Sequence, residues 1–178
     1  MYLGDGCITQ LPRTQWLRIT LDAAYPGIIR ECREAVSALL PRHKVSVIKR
    51  PHRAVDVASW SQLWPELIPQ HGQGPKHLRP IRLEGWQRSV VEMEPRSFIR
   101  GLFHSDGSYF TNPIWSKAGK LYLYDRYVFY NKSDDIKGLF RWACDLVGVD
   151  TRIVGSQAVS VAKRDSVARL NEFLGPKA

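Results

Sequence analysis

The sequence predicts an α+β protein built from two similar halves that are related by a pseudo-twofold axis. A short motif occurs twice, the segments after its two copies follow the same order of strands and helices, and each segment ends at a matched Gly-Pro-Lys. The separation from Asp5 to Lys76 equals that from Asp106 to Lys177, at 71 residues. A repeat of this length indicates duplicated structural units, which we place at residues 1–82 and 83–178.

The repeated motif is an apolar helical segment that ends in aspartate and glycine. The second copy reads Phe98-Ile99-Arg100-Gly101-Leu102-Phe103-His104-Ser105-Asp106-Gly107-Ser108, and the first reads Tyr2-Leu3-Gly4-Asp5-Gly6-Cys7. Glycine within a helix costs about 1 kcal/mol relative to alanine, so we expect Gly101 to allow another helix backbone to approach closely. Two copies supply two carboxylates, as a site for a divalent cation requires.

In the first half, alternation of apolar and polar residues predicts a strand over 16–21. Asp22 is the predicted cap of the following helix, with Pro26 in its first turn, and Pro41 stops that helix. Two further strands are predicted around Val47 and Val57, joined by a basic hairpin tip.

The second half repeats this plan. A helix over 83–94 leads into the second motif helix, which starts at about Ser97, and a tyrosine-rich strand follows over 121–131. Ser133 is the predicted cap of the next helix, with two aspartates in its first turn, where carboxylates suit the helix dipole. A strand around Val159 and a helix over 166–173 complete the half.

Composition favours an anionic partner. The chain has 178 residues, with 26 Lys and Arg against 17 Asp and Glu, giving a formal charge of +9 and a pI near 9.7. A basic balance of this size favours nucleic acid. The three cysteines show no zinc-ligand spacing and are expected to be reduced thiols of a cytoplasmic protein. No apolar run has membrane-spanning length, so no membrane partner is expected.

With both motifs and both lysines in view, the chain resembles the LAGLIDADG homing endonucleases in their single-chain form. The resemblance implies two αββαββα halves whose antiparallel sheets form a DNA-binding saddle. It implies that Asp5 and Asp106 bind Mg²⁺ or another divalent cation. It also implies that Lys76 is a catalytic lysine, because Gly74 to Ile81 is similar to the lysine-bearing block before the second motif in intein-hosted members. Lys177 is the repeat partner of Lys76.

The function implied is site-specific, metal-dependent hydrolysis of double-stranded DNA. Basic residues in or beside the predicted strands are the candidates for contacting DNA, because a twisted ribbon of strands can enter the major groove. They are Arg13, Arg18, Lys49, Arg50, Lys120, Arg126, Lys163 and Arg164.

The first motif is shorter at its N-terminal side than the motif of that family, which leaves two alternatives open. One is a non-cleaving DNA-binding protein or transcriptional regulator on the same fold. The other is a splicing cofactor like the RNA maturases. The expected state is a monomer, with a dimer as the alternative if the first motif helix is missing.

Overall fold

The computed structural model describes residues 1–175 and Lys177. Its first repeat contains three helices and four strands, followed by a 3-10 turn at Lys76–Leu78. These elements are α1 (Tyr2–Asp5), β1 (Gly6–Leu11), β2 (Thr14–Asp22), α2 (Pro26–Leu39), β3 (Val45–Lys49), β4 (Ala54–Trp60) and α3 (Trp64–Leu67).

A joining helix, α4 (Gly85–Met93), leads into the second repeat, which has the same αββαββα order. Its elements are α5 (Pro95–Asp106), β5 (Gly107–Trp115), β6 (Leu121–Tyr130), α6 (Asp134–Leu146), β7 (Arg152–Val154), β8 (Ala158–Val161) and α7 (Arg164–Asn171). The predicted α+β class with two pseudo-symmetric halves is confirmed.

Each half holds one four-stranded antiparallel sheet. The strand orders are β1-β2-β4-β3 and β5-β6-β8-β7, so the same topology occurs twice. Residue-by-residue reading of the sequence missed β1, β5 and β7. Strand β5 contains Pro113, which cannot donate to a ladder and is tolerated because β5 is an edge strand.

The helices cover one side of each sheet, which we call the inner face. In the first half Leu17, Ile19 and Val57 point inward and pack against Ile28 and Cys32 of α2. In the second half, Tyr127 and Phe129 of β6 point inward, and Phe129 stacks on Phe140 of α6 with ring centroids 4.4 Å apart. Because side chains alternate along a strand, the intervening residues lie on the opposite, outer face.

The predicted N-cap residue is confirmed for helix α6 and is wrong for helix α2. The side chain of Ser133 accepts a hydrogen bond from the backbone N–H of Ile136, as predicted. Asp22 is not the cap of α2: it ends β2 and accepts from the N–H of Ala24, and the cap position belongs to Tyr25. Pro26 is the first residue of α2, where its missing N–H costs nothing.

Among the residues described, no helix combines the length and the apolar character that a bilayer crossing needs. Cys32 and Cys144 are buried in the two cores, and Cys7 is exposed.

Candidate functional site

The two motif helices end side by side, and each ends at its aspartate. Asp5 is the last residue of α1 and Asp106 is the last residue of α5. A Cβ added to Gly4 would lie 2.6 Å from the Cβ of Ser105 and 2.7 Å from Oδ2 of Asp106. The backbone of α1 therefore touches the end of α5, and only glycine fits at position 4 without displacing either residue.

The glycine after each aspartate allows the helix to turn directly into a strand. A Cβ on Gly6 would lie 2.7 Å from the Cα of Tyr2, and a Cβ on Gly107 would overlap the ring of Phe103. Tyr2 and Phe103 each lie four residues before the glycine. The strands β1 and β5 can therefore begin immediately after the carboxylates, which places both aspartates where helix end and sheet meet.

Asp5 is held by a residue of the other motif. The hydroxyl of Ser105 donates to Oδ2 of Asp5 at 2.7 Å, and the backbone N–H of Asp5 donates back to that hydroxyl at 3.2 Å. The orientation of the first carboxylate therefore depends on the docking of α1 against α5.

Asp106 has a different partner. The side-chain amide of Asn131, just after β6, donates to Oδ2 of Asp106 at 2.8 Å. Burial raises the pKa of Asp106 and the nearby negative charge of Asp5 raises it further, whereas the hydrogen bond from Asn131 acts to lower it. The net rise in the pKa of Asp106 follows mainly from burial, which outweighs the hydrogen bond from Asn131 and the positive charges of Lys76 and Lys177.

Lys76 lies against the end of α1. Its ammonium donates to the carbonyl oxygens of Gly4 at 2.9 Å and Gly6 at 2.5 Å, and it lies 5.0 Å from the ring centre of Tyr2. Burial lowers the pKa of Lys76, and the charges of Asp5 and Asp106 oppose that change. The lysine predicted from the repeat therefore reaches the motif.

Lys177 approaches from the opposite side of the motif pair, with its ammonium 5.7 Å from the ring centre of Phe103. Burial lowers its pKa, against the charges of Asp5 and Asp106. The segment before it is anchored by Arg100 of α5, whose guanidinium donates to the carbonyl oxygens of Phe173 and Leu174, each at 2.6 Å.

All four predicted site residues thus meet around the ends of α1 and α5, and Asp106 and Lys76 line a cleft of about 420 Å³. Sequence reasoning missed Ser105, Asn131 and Arg100. Ser105 could have been suggested by its place beside Asp106 in the motif. Asn131 and Arg100 act across the fold and leave no signal in the repeat.

The described part of the chain has no group of three or more His, Cys, Asp or Glu residues that could hold a metal ion. A pair of carboxylates suits Mg²⁺, which is usually bound by one or two carboxylates and otherwise by water and phosphate oxygens. Burial raises the pKa of Asp106 by penalising its ionised form, and a bound divalent cation would favour that form. The donor set is therefore compatible with the predicted magnesium.

The predicted DNA-contacting residues of the first half spread over the sheet and its turns. Arg18 lies on the outer face, with its guanidinium 4.3 Å from the ring centre of Trp16. Arg50 forms a 2.7 Å ion pair with Asp56. Arg13 lies in the turn between β1 and β2, and Lys49, the last residue of β3, has the register of the inner face.

In the second half, Arg126 is on the outer face of β6 and Lys120 immediately precedes that strand. Lys163 follows β8 and pairs with Asp150 at 3.0 Å, and Arg164 begins α7. Arg18 and Arg126 therefore lie on the outer faces of the two sheets, whereas the other candidates lie in turns, at strand ends or on a helix.

No protein-family model and no curated protein sequence matches the chain. Solved structures do match. Mesophilic variants of the homing endonuclease I-DmoI share 14% identity, with a TM-score of 0.62 over 98% of this chain and 91% of that one. The LAGLIDADG meganuclease I-AabMI bound to uncleaved DNA shares 12%, with a TM-score of 0.59 over 97% and 79%. I-SmaMI bound to an uncleaved DNA target with calcium ions shares 9%, with a TM-score of 0.59 over 98% and 82%.

Proposed function

We propose that this chain, which has the fold of the LAGLIDADG homing endonucleases, is a site-specific, metal-dependent endonuclease acting on double-stranded DNA. One observation carries the proposal: two half-buried carboxylates, Asp5 and Asp106, meet at the ends of paired helices, with Lys76 beside them. Two of the similar solved structures, those of I-AabMI and I-SmaMI, are bound to uncleaved DNA.

In this proposal Asp5 and Asp106 hold the divalent cation. When bound, Mg²⁺ would activate water and stabilise charge on the attacking and leaving oxygens of a phosphodiester. The chain itself supplies the fixed geometry. Ser105 orients one carboxylate and Asn131 the other, through hydrogen bonds of 2.7 Å and 2.8 Å.

The two lysines contribute positive charge where a phosphate would lie. The ammonium of Lys76 is already desolvated by burial and is fixed by two backbone carbonyls. A preorganised cation in a partly buried site stabilises developing negative charge without reorganising at the moment of reaction. Lys177 adds a second such charge on the opposite side of the motif pair.

The outer faces of the sheets form the proposed DNA surface. Arg18 and Arg126 lie on these faces, one in each half. Contacts of this kind to phosphates would position the duplex, and contacts to base edges in the major groove would select the sequence.

The test is to incubate the protein with a randomised duplex DNA library in Mg²⁺, with Ca²⁺ in parallel, and to sequence bound and cut fragments. We expect Mg²⁺-dependent cuts at a recurrent long site that disappear in Asp106→Asn. Asp145→Asn, which changes an exposed carboxylate on helix α6 away from the outer face, is the matched control and should cut normally.

Selective binding of duplex DNA without any cut would refute the nuclease and support the regulator. Preference for structured intron RNA over duplex DNA would instead support the maturase-like cofactor.

A further inference from the structure

Both sides of the β5–β6 hairpin expose large apolar and aromatic side chains, and five of these lie on its outer face. Each of the five is between 40% and 51% exposed. We call this set the aromatic face; it consists of Phe110, Ile114, Tyr122, Tyr124 and Tyr130.

The register places these residues on one surface. Ile114 is paired with Tyr122, and Phe110 with Arg126, so these pairs share a side of the sheet. Tyr127 and Phe129 belong to the core beneath the sheet, so the even-numbered residues of β6 face away from it. Clusters of large exposed apolar side chains are typical of interaction surfaces.

Charge decides what kind of partner fits. Arg126 lies within the aromatic face, the ammonium of Lys120 lies 5.2 Å from the ring centre of Tyr122, and Arg152 joins the same side through its pairing with Ser160. The opposite side of the hairpin carries Asp125 and no lysine or arginine from β5 or β6. The aromatic face is therefore the side suited to a polyanion.

The aromatic face also leads into the candidate site, because Tyr130 lines the same cleft as Asp106 and Lys76. From Tyr122 to Tyr130 the strand advances eight residues, or about 27 Å at a rise of about 3.4 Å per residue. Since base pairs stack about 3.4 Å apart, the face matches about eight base pairs running outward from the site.

Duplex DNA presents one apolar group to its major groove, the C5-methyl of thymine, and apolar or aromatic side chains contact it. We propose that the aromatic face reads thymine methyl groups, so that the half-site bound by the second sheet is rich in A·T pairs; this inference rests on the proposed DNA function. The first hairpin has Thr9 where the repeat puts Phe110, so the two half-sites should differ.

The test measures binding by fluorescence anisotropy in Ca²⁺, so that cleavage plays no part. The probes are duplexes of about 24 base pairs, long enough to cross both sheets, with alternating A·T pairs, with every thymine replaced by uracil, or with G·C pairs alone. A single strand of the same length is included. Uracil removes the methyl group and keeps the base-pairing pattern.

We expect the thymine duplex to bind at least about fourfold more tightly than the uracil duplex, the effect of burying one methyl-sized group. The double variant Tyr122→Ser/Tyr124→Ser, which removes two of the five side chains of the aromatic face, should lower the ratio. Leu123→Ser, which changes a more exposed residue on the opposite side of β6, should leave the ratio unchanged.

Equal affinity for the thymine and uracil duplexes would overturn the inference and leave the nuclease proposal intact. The inference also fails if the single strand binds more tightly than any duplex, since the aromatic face would then stack unpaired bases. It fails again if Leu123→Ser lowers the ratio as much as the double variant. Absence of binding to every probe would overturn the proposed DNA function itself.

Discussion

Replacing Gly138 with alanine should stabilise the fold, whereas the same replacement at Gly4 should destabilise it. Gly138 lies in α6, is exposed, and has no atom within 4 Å of the position that its Cβ would take. Alanine is preferred over glycine inside a helix by about 1 kcal/mol. Gly138→Ala should therefore raise the free energy of unfolding by about 0.5–1 kcal/mol.

Gly4→Ala introduces the same methyl group between α1 and α5. Its Cβ would lie 2.6 Å from the Cβ of Ser105 and 2.7 Å from a carboxylate oxygen of Asp106. Non-bonded carbons prefer about 3.5–4.0 Å, so the two helix ends must separate by about 1 Å. Overpacking of this kind costs about 1–3 kcal/mol, and α1 is too short for helix propensity to offset it.

Urea unfolding of both variants beside the wild type measures these free energies from the midpoint and slope. We expect the Gly4→Ala midpoint to fall and the Gly138→Ala midpoint to rise. The Gly4→Ala variant should also lose DNA cleavage, because Ser105 would move away from Asp5. A Gly4→Ala protein as stable as the wild type would refute the close approach of the two helices.

Three further changes test other parts of the structure. Burial raises the pKa of Asp106, so its contribution to stability is present at low pH and is lost as the pH rises through that pKa. Asp106→Asn should therefore raise the urea midpoint at pH 7 without metal and change it little near pH 3. A lower midpoint at pH 7 would contradict this. Arg100→Gln removes hydrogen bonds to two backbone carbonyls and to Glu31, so the free energy of unfolding should fall by about 2 kcal/mol. An unchanged urea midpoint would show that these hydrogen bonds do not stabilise the fold. Ser133→Ala removes the cap of α6 and should lower the unfolding free energy by about 1 kcal/mol, whereas Ser133→Asp should retain most of the stability.

Much of the fold was predictable because the repeat carries independent signals in each half. The amphipathic pattern of α6, with Ile136 and Phe140 in the core, and the alternation in β2 both reflect burial against a single layer. Strand β5 was not predicted because its sequence lacks a clear alternation of apolar and polar residues. It lies at a sheet edge, contains Asn112 and Pro113, and exposes apolar residues on both sides. Its pairing with β6 supplies the order that its own sequence does not specify.

Only the charged residues of the candidate site were predicted from the sequence, and their roles stay a prediction. Asp5, Asp106 and the two lysines recur at matched positions, and repetition separates them from ordinary surface charges. Ser105 was not predicted because its repeat counterpart is Gly4, so the repeat does not show a shared residue at this position. Asn131 was hidden because its contact with Asp106 depends on where β6 ends.

The hydrogen bond between Ser105 and Asp5 also bears on folding kinetics. It joins residues 100 positions apart in the chain, so it closes one of the longest loops among the protein's hydrogen bonds. Contacts of such high sequence separation form slowly, because chain entropy is lost before they stabilise anything. The first sheet, with paired residues at most 44 positions apart, can form before α5 is available. A chain emerging from the ribosome would therefore present its first basic sheet well before its two carboxylates are brought together.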